Sequence, residues 1–574
     1  MVANTINSAQ ITRSEEYYDL GTHSRQIRTV SPDAQLWFNR GLLWSYAFNH
    51  EEAVRCFERA TVCDPHCAMP WWGIAYAMGP NYNKAWSRFD RLDLEQTLPK
   101  AKAALSRASQ LTRGSDSVEH ALCEALSARF PSHEIPDDLT PLDHAYANAM
   151  RSVYESYSYD LDVVALFAEA LVCTRARDLW DLDTGKPTSN STLEARALLE
   201  SAMAKEGSQD HPAFCHMYIH LMEMSPFPEL ALPAANTLRH LVPDGSHLMH
   251  MASHIDIACG DYHRAMHSNH DAMVADNRYF SNNEPSSVFY IMYRAHNVYA
   301  KIYATIMLGH QAEALSTAKH LWSILTPEVL SVSTPPMADW AESYLGALAH
   351  VLVRFGRWND ILQLELPSDR ELFCSTTAML LYARGIALGV LGRIGEAEAA
   401  LAQFEAARAA VPVTRLNSLP SKEVDVLRIA SAMLKGELEY RKGNYDLAFS
   451  SLRRAVKLED SLPYTDTPPW MQPVRHALGA LLLEQNHIAE AEVVYSEDLG
   501  LSDTLPRRRG RLNNVWGLHG LYECFARSGK TYEALLTRTR RDAALLKADV
   551  PITASCYCRL STVSDDDSCC RASG

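Results

Sequence analysis

Two short stretches of the chain place imidazoles at helical spacing in otherwise apolar runs. In CHMYIHLMEMS (215–225), His216, His220 and Glu223 stand at i, i+4 and i+7; in SHLMHMASHI (246–255), His247, His250 and His254 stand at i, i+3 and i+7. Each spacing puts its three residues on one face of a helix. Neutral imidazole is a good ligand for borderline transition metals, and facing helices that project His and Glu inward are how helical bundles build metal centres. Both stretches lie within residues 211–270, which hold ten of the chain's 23 histidines. The expectation is a transition metal ion (Fe, Cu or Zn) held by some of His216, His220, His247, His250 and His254, with His296 arriving from YIMYRAHNVYAK. Glu223, where it is not a ligand, is the candidate catalytic base. The order His220-Leu221-Met222-Glu223 reverses the Glu-x-x-His of di-iron bundles, so a mononuclear His-rich centre is expected. A lone helical histidine commonly only packs, one nitrogen on a carbonyl; two matched faces argue for more.

The helices that must carry these faces have legible ends. Pro212 after Asp210 suits a first helical turn, and a stop is expected near Ser225-Pro226. The second helix should open at Ser246, after Pro243-Asp244-Gly245, and close at Gly260. His263, His267 and His270 then fall on the outer helix of that hairpin, and His211 and His240 at helix ends.

A longer period frames both. From Trp37, the residues Trp37, Gly41, Trp44, Ala53, Phe57, Ala60 and Pro65 match the 34-residue tetratricopeptide (TPR) pattern of large and small positions. Antiparallel helices approach closely only where small residues face each other, and large ones fill the gaps between hairpins. The small-to-small interval recurs at Gly385 and Ala397, Gly436 and Ala448, and Gly479 and Ala491, with weaker copies at Gly260, Gly309, Phe355 and Ser528. The fold class predicted is all-α: a TPR-like α-solenoid of roughly nine or ten hairpins over residues 31–550. It has a His-rich central segment (211–300), an N-terminal tail (1–30) and a Cys-containing tail (551–574). Residues 80–115, 130–142 and 181–192 read as loops from their Pro, Gly and Ser content.

Composition narrows the partners. A formal charge of −15 argues against nucleic acid. There is no apolar core of signal-peptide length at the start and no apolar run of membrane-spanning length, so a cytoplasmic protein without a membrane partner is expected. The basic run Arg507–Arg509 with Arg511 reads as a solvated loop. Cys556, Cys558, Cys569 and Cys570 sit in what reads as a disordered end beside an acidic run. Gly529-Lys530-Thr531 resembles a phosphate loop only superficially, because Cys524 stands where that motif needs Gly.

Several segments together, WWGIAYAMGPNYN (71–83), LFAEALVCTRARDLWD (166–181), the two histidine stretches, RAHN (294–297) and PPWMQPVRHALGALLLE (468–484), resemble a large, mostly uncharacterised family of long TPR-repeat proteins. The likeness runs from about residue 31 to about residue 550. It implies that His216, His220, His247, His250, His254 and His296 belong to the family pattern, as do Pro469, Trp470, Pro473 and Arg475; it implies no reaction.

Two functions compete. One is a metal-dependent enzyme acting on a small molecule, an oxidoreductase where the metal is redox-active, whose pocket draws on Asn81, Asn83, Tyr218, Trp470 and Arg475, with Asn49, His50 and Tyr82 nearby; Arg475 would take a substrate carboxylate. The other is a non-catalytic scaffold binding a protein partner in the solenoid groove. The Lys and Asn clamp that grips C-terminal carboxylates in some TPR proteins is absent, Phe38 and Leu42 standing at those positions of the first repeat. Many aromatics and histidines on the inner helices favour the enzyme.

Overall fold

The computed structural model describes residues 17–130, 135–283 and 289–560. Its helices pair in succession over residues 32–63, 68–112, 118–157, 161–203, 212–241, 246–282, 289–324, 347–363, 374–410, 423–460, 474–498 and 515–545. The fold is an all-α, TPR-like solenoid; among the described residues there is no strand, only isolated bridges at Trp180–Pro187 and Leu416–Lys422. Twelve pairs stand where the strict period suggested nine or ten, because some hairpins depart from it. Residues 80–115, read as loop, contain the helix Arg91–Thr112. Asp90 caps it, and Leu94, Leu98, Ala101, Leu105 and Ala108 give it a buried stripe that outweighs the internal Pro99.

The repeat logic is visible at Phe57. Its ring lies between Gly41 on one neighbouring helix and Gly73 on the next, and a Cβ at either glycine would come within 2.6 Å of a ring carbon. Further along, Tyr495 fills the equivalent gap between Gly479 and Gly520. Gly260 ends the helix Ser246–Cys259 in the left-handed conformation (φ 78°), as the sequence suggested.

The solenoid curls until distant repeats touch. Near the N-terminus, the Asp19 amide donates to Asp244, and the Tyr279 hydroxyl reaches Glu52, so the first hairpin lies against the sixth. From the other end, Trp516 Nε1 donates to the Ile306 carbonyl, and Arg507 to that of Ala258. The arginine run is therefore not a solvated loop. Arg509 bonds the Leu462 carbonyl and Asp183, Arg511 pairs with Glu459, and Arg508 lies 5.1 Å over the Tyr464 ring. Nor do residues 17–30 and 551–560 hang free. His23 and Arg25 engage Asp162 and Asp160, while Ser555, buried, bonds Tyr495 and accepts from Arg354, and Cys558 packs in the C-terminal core with Cys556 disulfide-bonded to it. Cys569 and Cys570 lie outside the described residues. Lys530 of the pseudo-phosphate loop is paired with Glu492. Among the described residues, no helix is long and apolar enough to cross a membrane.

The glycine gaps predict opposite outcomes for the same substitution. Gly41→Ala overpacks against Phe57 and should cost about 1–3 kcal/mol. Gly395→Ala, in a helix with nothing within 4 Å of the new Cβ, should be neutral or stabilising by up to about 1 kcal/mol. Urea denaturation of the two variants checks the contrast; equal effects would contradict the packing described.

Candidate metal centre

The first histidine helix spans Pro212–Met222, with buried His211 as its N-cap residue and Glu223 at its C-cap; the second spans Ser246–Cys259. They pack face to face, as the sequence faces required. His296 comes from the helix Phe289–Leu308, and a fourth element supplies what the sequence reading missed: the segment between residues 461 and 473 brings in Asp466 and Tyr464.

Seven coordinating groups form two adjoining sets. The ligand atoms of His216, His220 and His247 lie within 4.8 Å of one another, and so do those of His250, His254, His296 and Asp466. Asp466 Oδ2 is 2.7 Å from His254 Nε2, 3.0 Å from His296 Nε2 and 3.4 Å from His250 Nε2. In the other set His216 and His247 approach at 3.2 Å through their Nε2 atoms.

What surrounds the rings turns these nitrogens inward. His216 Nδ1 is 2.8 Å from the Tyr46 carbonyl, an oxygen that can only accept, so the proton sits on Nδ1 and the Nε2 lone pair faces the cluster. His250 Nδ1 meets Asn269 Oδ1 at 2.6 Å, and the Asn269 amide is oriented by donating its NH2 to the Ala265 carbonyl. Glu223 serves both sets at once: Oε1 takes His220 Nδ1 at 2.9 Å and Oε2 takes His254 Nδ1, while the Tyr464 hydroxyl donates to Oε2 at 2.6 Å. Four rings thus have an acceptor behind Nδ1 and Nε2 turned inward, the arrangement by which outer carboxylates and carbonyls orient metal-binding imidazoles; on His216, His220 and His250 that Nε2 offers a lone pair, whereas on His254 it carries a proton toward Asp466. His220 Nε2 and His247 Nδ1 are buried and have no hydrogen-bond partner; each such orphan costs about 1–3 kcal/mol.

Burial, with like neighbours, holds His216, His220, His247 and His296 below the usual imidazole value, His220 and His296 to about 4. These are neutral and ready to ligate at pH 7. Burial also opposes charge on His254, yet the carboxylates of Asp466 and Glu223 push it up to about 10. Burial would likewise raise Glu223 and Asp466, but the imidazoles around them, His254 foremost, hold both below the ordinary carboxylate range.

Two residues against the cluster have left-handed backbone that non-glycine residues rarely adopt. Phe48 (φ 56°) wedges its ring 4.5 Å from His216 and 5.2 Å from His247, and Arg177 (φ 61°) donates to Asn83 Oδ1 at 2.7 Å. Such strain costs about 1–3 kcal/mol and collects at functional sites.

The remaining expected residues divide. Asn83 lines a cavity that reaches His247, His254 and His296, and Tyr82 lies 4.3 Å from His220, ring to ring. Asn81 stands one layer back, its Oδ1 holding the amides of Asn83 and Lys84 and its NH2 against His50. Asn49 caps the helix His50–Cys63. Three expectations need correcting in position. Tyr218 points away and donates to Glu200, because two helical residues from His216 is the opposite face. Arg475 is not available to a substrate, being clamped by both oxygens of Asp460 and by Glu497. Trp470 lines a second cavity behind Asp466, but its ring packs against His350 and Tyr382 in the core. A further trio, His23, Asp162 and His211, already has a cation, Arg25, and the Tyr46 hydroxyl on its carboxylate.

No family model matches the chain, and no curated protein does. Among solved structures it is similar to a Naa15/Naa10 complex bound to HypK-THB (12% identity over 89% of this chain and 70% of that one, TM-score 0.21). It is similar also to an IFIT1 monomeric mutant with a capped RNA (12%, 83% and 90%, TM-score 0.32), and to the APC/C hetero-tetramer Cut9–Hcn1 (12%, 89% and 93%, TM-score 0.26). Likenesses of this strength carry no argument about activity.

The charge on His254 fixes a pH dependence. Its value in the folded, metal-free chain is raised above the ordinary 6.5, so its contribution to stability is full below about 6.5 and is lost as the pH rises through about 10. In chelator-treated protein, His254→Gln should lower stability at pH 7 by about 3 kcal/mol, and the gap should close above pH 10. Denaturant titration at both pH values measures it; a gap that does not narrow would contradict the charge assignment.

Proposed function

We propose that the chain is a metal-dependent enzyme acting on a small molecule, an oxidoreductase whose His-rich centre is enclosed by a TPR-like superhelix. One observation carries the reading. Four imidazoles have their Nδ1 protons committed to acceptors behind them, so that their Nε2 atoms converge, three with lone pairs and His254 with a proton that an ion would displace. A structural histidine does the reverse, satisfying itself wherever a partner is at hand; converging lone pairs repel unless a cation lies between them. The set with Asp466 is the stronger site, since its carboxylate offsets the charge of an ion directly. The all-imidazole set beside it has only Glu223, acting through His220. This pairing of sets replaces the single centre expected from the helix faces. Imidazole donors suit copper, iron and zinc, and two adjacent ions that each change oxidation state by one favour two-electron chemistry. Two cavities meet at His254 and Asp466, so an open position there is reachable from solvent.

The scaffold reading keeps one observation in its favour beyond the repeat architecture. The last helix, Thr531–Leu545, leaves Tyr532, Leu535 and Leu536 exposed, an uncovered apolar face of the kind that protein partners use.

Metal analysis decides between them. Purified chain, reconstituted in turn with copper, iron and zinc, should retain up to two ions. His250→Ala/His254→Ala should lose the ion of the Asp466 set, and His216→Ala/His247→Ala that of the other. Retained metal should also raise stability by about 4 kcal/mol at a thousandfold excess over Kd. No bound metal, or equal content in all three proteins, removes the enzyme reading and leaves the scaffold.

A further inference from the structure

The cavity that opens on His247, His254, His296 and Asp466 contains two arginines that have no acidic partner among the described residues. Arg88, at the end of the short turn Trp86–Arg88, and Arg177 both line it. Among the described residues neither forms a salt bridge with a carboxylate; Arg177 reaches only the neutral Asn83 amide, and its Nε is buried without a hydrogen-bond partner. They sit close enough to repel: burial, and then Arg177, lower Arg88 to about 10. The other cavity offers the contrast. There Arg511 is matched by Glu459 and Arg509 by Asp183, and among the described residues only Arg508, stacked over the Tyr464 ring, has no carboxylate. In a chain with 69 acidic residues against 54 basic ones, two guanidiniums that line one cleft without a carboxylate among the described residues mark an anion site. The strained backbone that presents Arg177 points the same way.

Phe289, Tyr293 and Trp340 give the cavity aromatic walls, with Met292 and Leu419 beside them. Apolar walls with a few fixed polar groups are the mixture found in small-molecule sites.

We propose that this cavity binds a small aromatic carboxylate, with the carboxylate held by Arg88 and Arg177 and the ring between Phe289, Tyr293 and Trp340. The far end of such a molecule lies against His254, His296 and Asp466. Its role as substrate rests on the metal-dependent reading above; its binding does not, because the arginines and the aromatic walls are separate from the ligand set. A guanidinium pair recognises planar oxyanions by paired N–H donors, and the walls exclude a bare inorganic anion as the natural occupant by leaving their area unfilled.

Calorimetric titration of the full chain with 3-phenylpropionate, with 3-phenylpropanamide and with inorganic phosphate tests this. Saturable binding of the acid is expected, with the amide and phosphate each at least tenfold weaker. Arg177→Gln and Arg88→Gln should each weaken the acid at least tenfold while leaving the thermal melt in place, Arg177→Lys should recover part of the loss, and Trp340→Ala should weaken the acid but not phosphate. Phosphate binding as tightly as the acid, equal binding of acid and amide, no binding of the acid, or indifference to both arginine variants would each overturn the proposal. Metal content measured on the same samples keeps the two readings apart. Acid binding without metal retires the enzyme and retains this site, and metal without acid binding does the opposite.

Discussion

The centre depends on one carboxylate doing two jobs. Glu223 sits where the first histidine helix ends, so its side chain is free of the helical ladder and can reach both back to His220 and across to His254. A buried carboxylate is costly unless compensated, and here the compensation is three hydrogen bonds, the third from Tyr464. The same contacts set the protonation of two rings in two different ligand sets. Geometry, charge and tautomer at the centre therefore share a single support. Removing it would release His220 and His254 together, and would unpin the segment that carries Asp466.

The superhelix is what makes that support reachable. An open TPR array would leave the segment between residues 461 and 473 far from the histidine helices. The tight curl brings it over them, and the arginine run seals the approach by bonding to Leu462 and Ala258 on opposite sides of the gap. The curl brings the chain's own residues into the space that an open array would leave between its ends, with cavities remaining beside Asp466. The packing of first hairpin against sixth has a similar effect on the other flank, where Tyr46 gives its carbonyl to His216 and its hydroxyl to Asp162.

Much of this could be read in the sequence because it is periodic. The glycine and alanine interval reports helix contacts that every repeat must make, and the i, i+3, i+4 and i+7 spacing fixed which histidines share a face. The same spacing should have excluded Tyr218, two residues from both His216 and His220 and hence on the far side. Contacts that join distant segments left no such trace. Asp466 stands in a non-helical stretch with no period, three residues ahead of the Pro-Trp segment already singled out; a lone acid between two threonines carries no signal of what it faces. Arg475 looked available because Asp460 and Glu497, which clamp it, belong to other helices. The loop reading of residues 80–115 failed differently: Pro99 was given more weight than the buried stripe around it.

Asp466 is separated by 170 residues from His296, the last of the imidazoles it meets. At a synthesis rate of about 5–20 residues per second, roughly 10–30 s pass between the emergence of the final histidine and that of the carboxylate. Through that interval the nascent chain holds an all-imidazole pocket without its anionic ligand or its cover. Order of translation thus separates a half-built, weakly charged pocket from the finished one, which is complete only after the C-terminal repeats have closed over it.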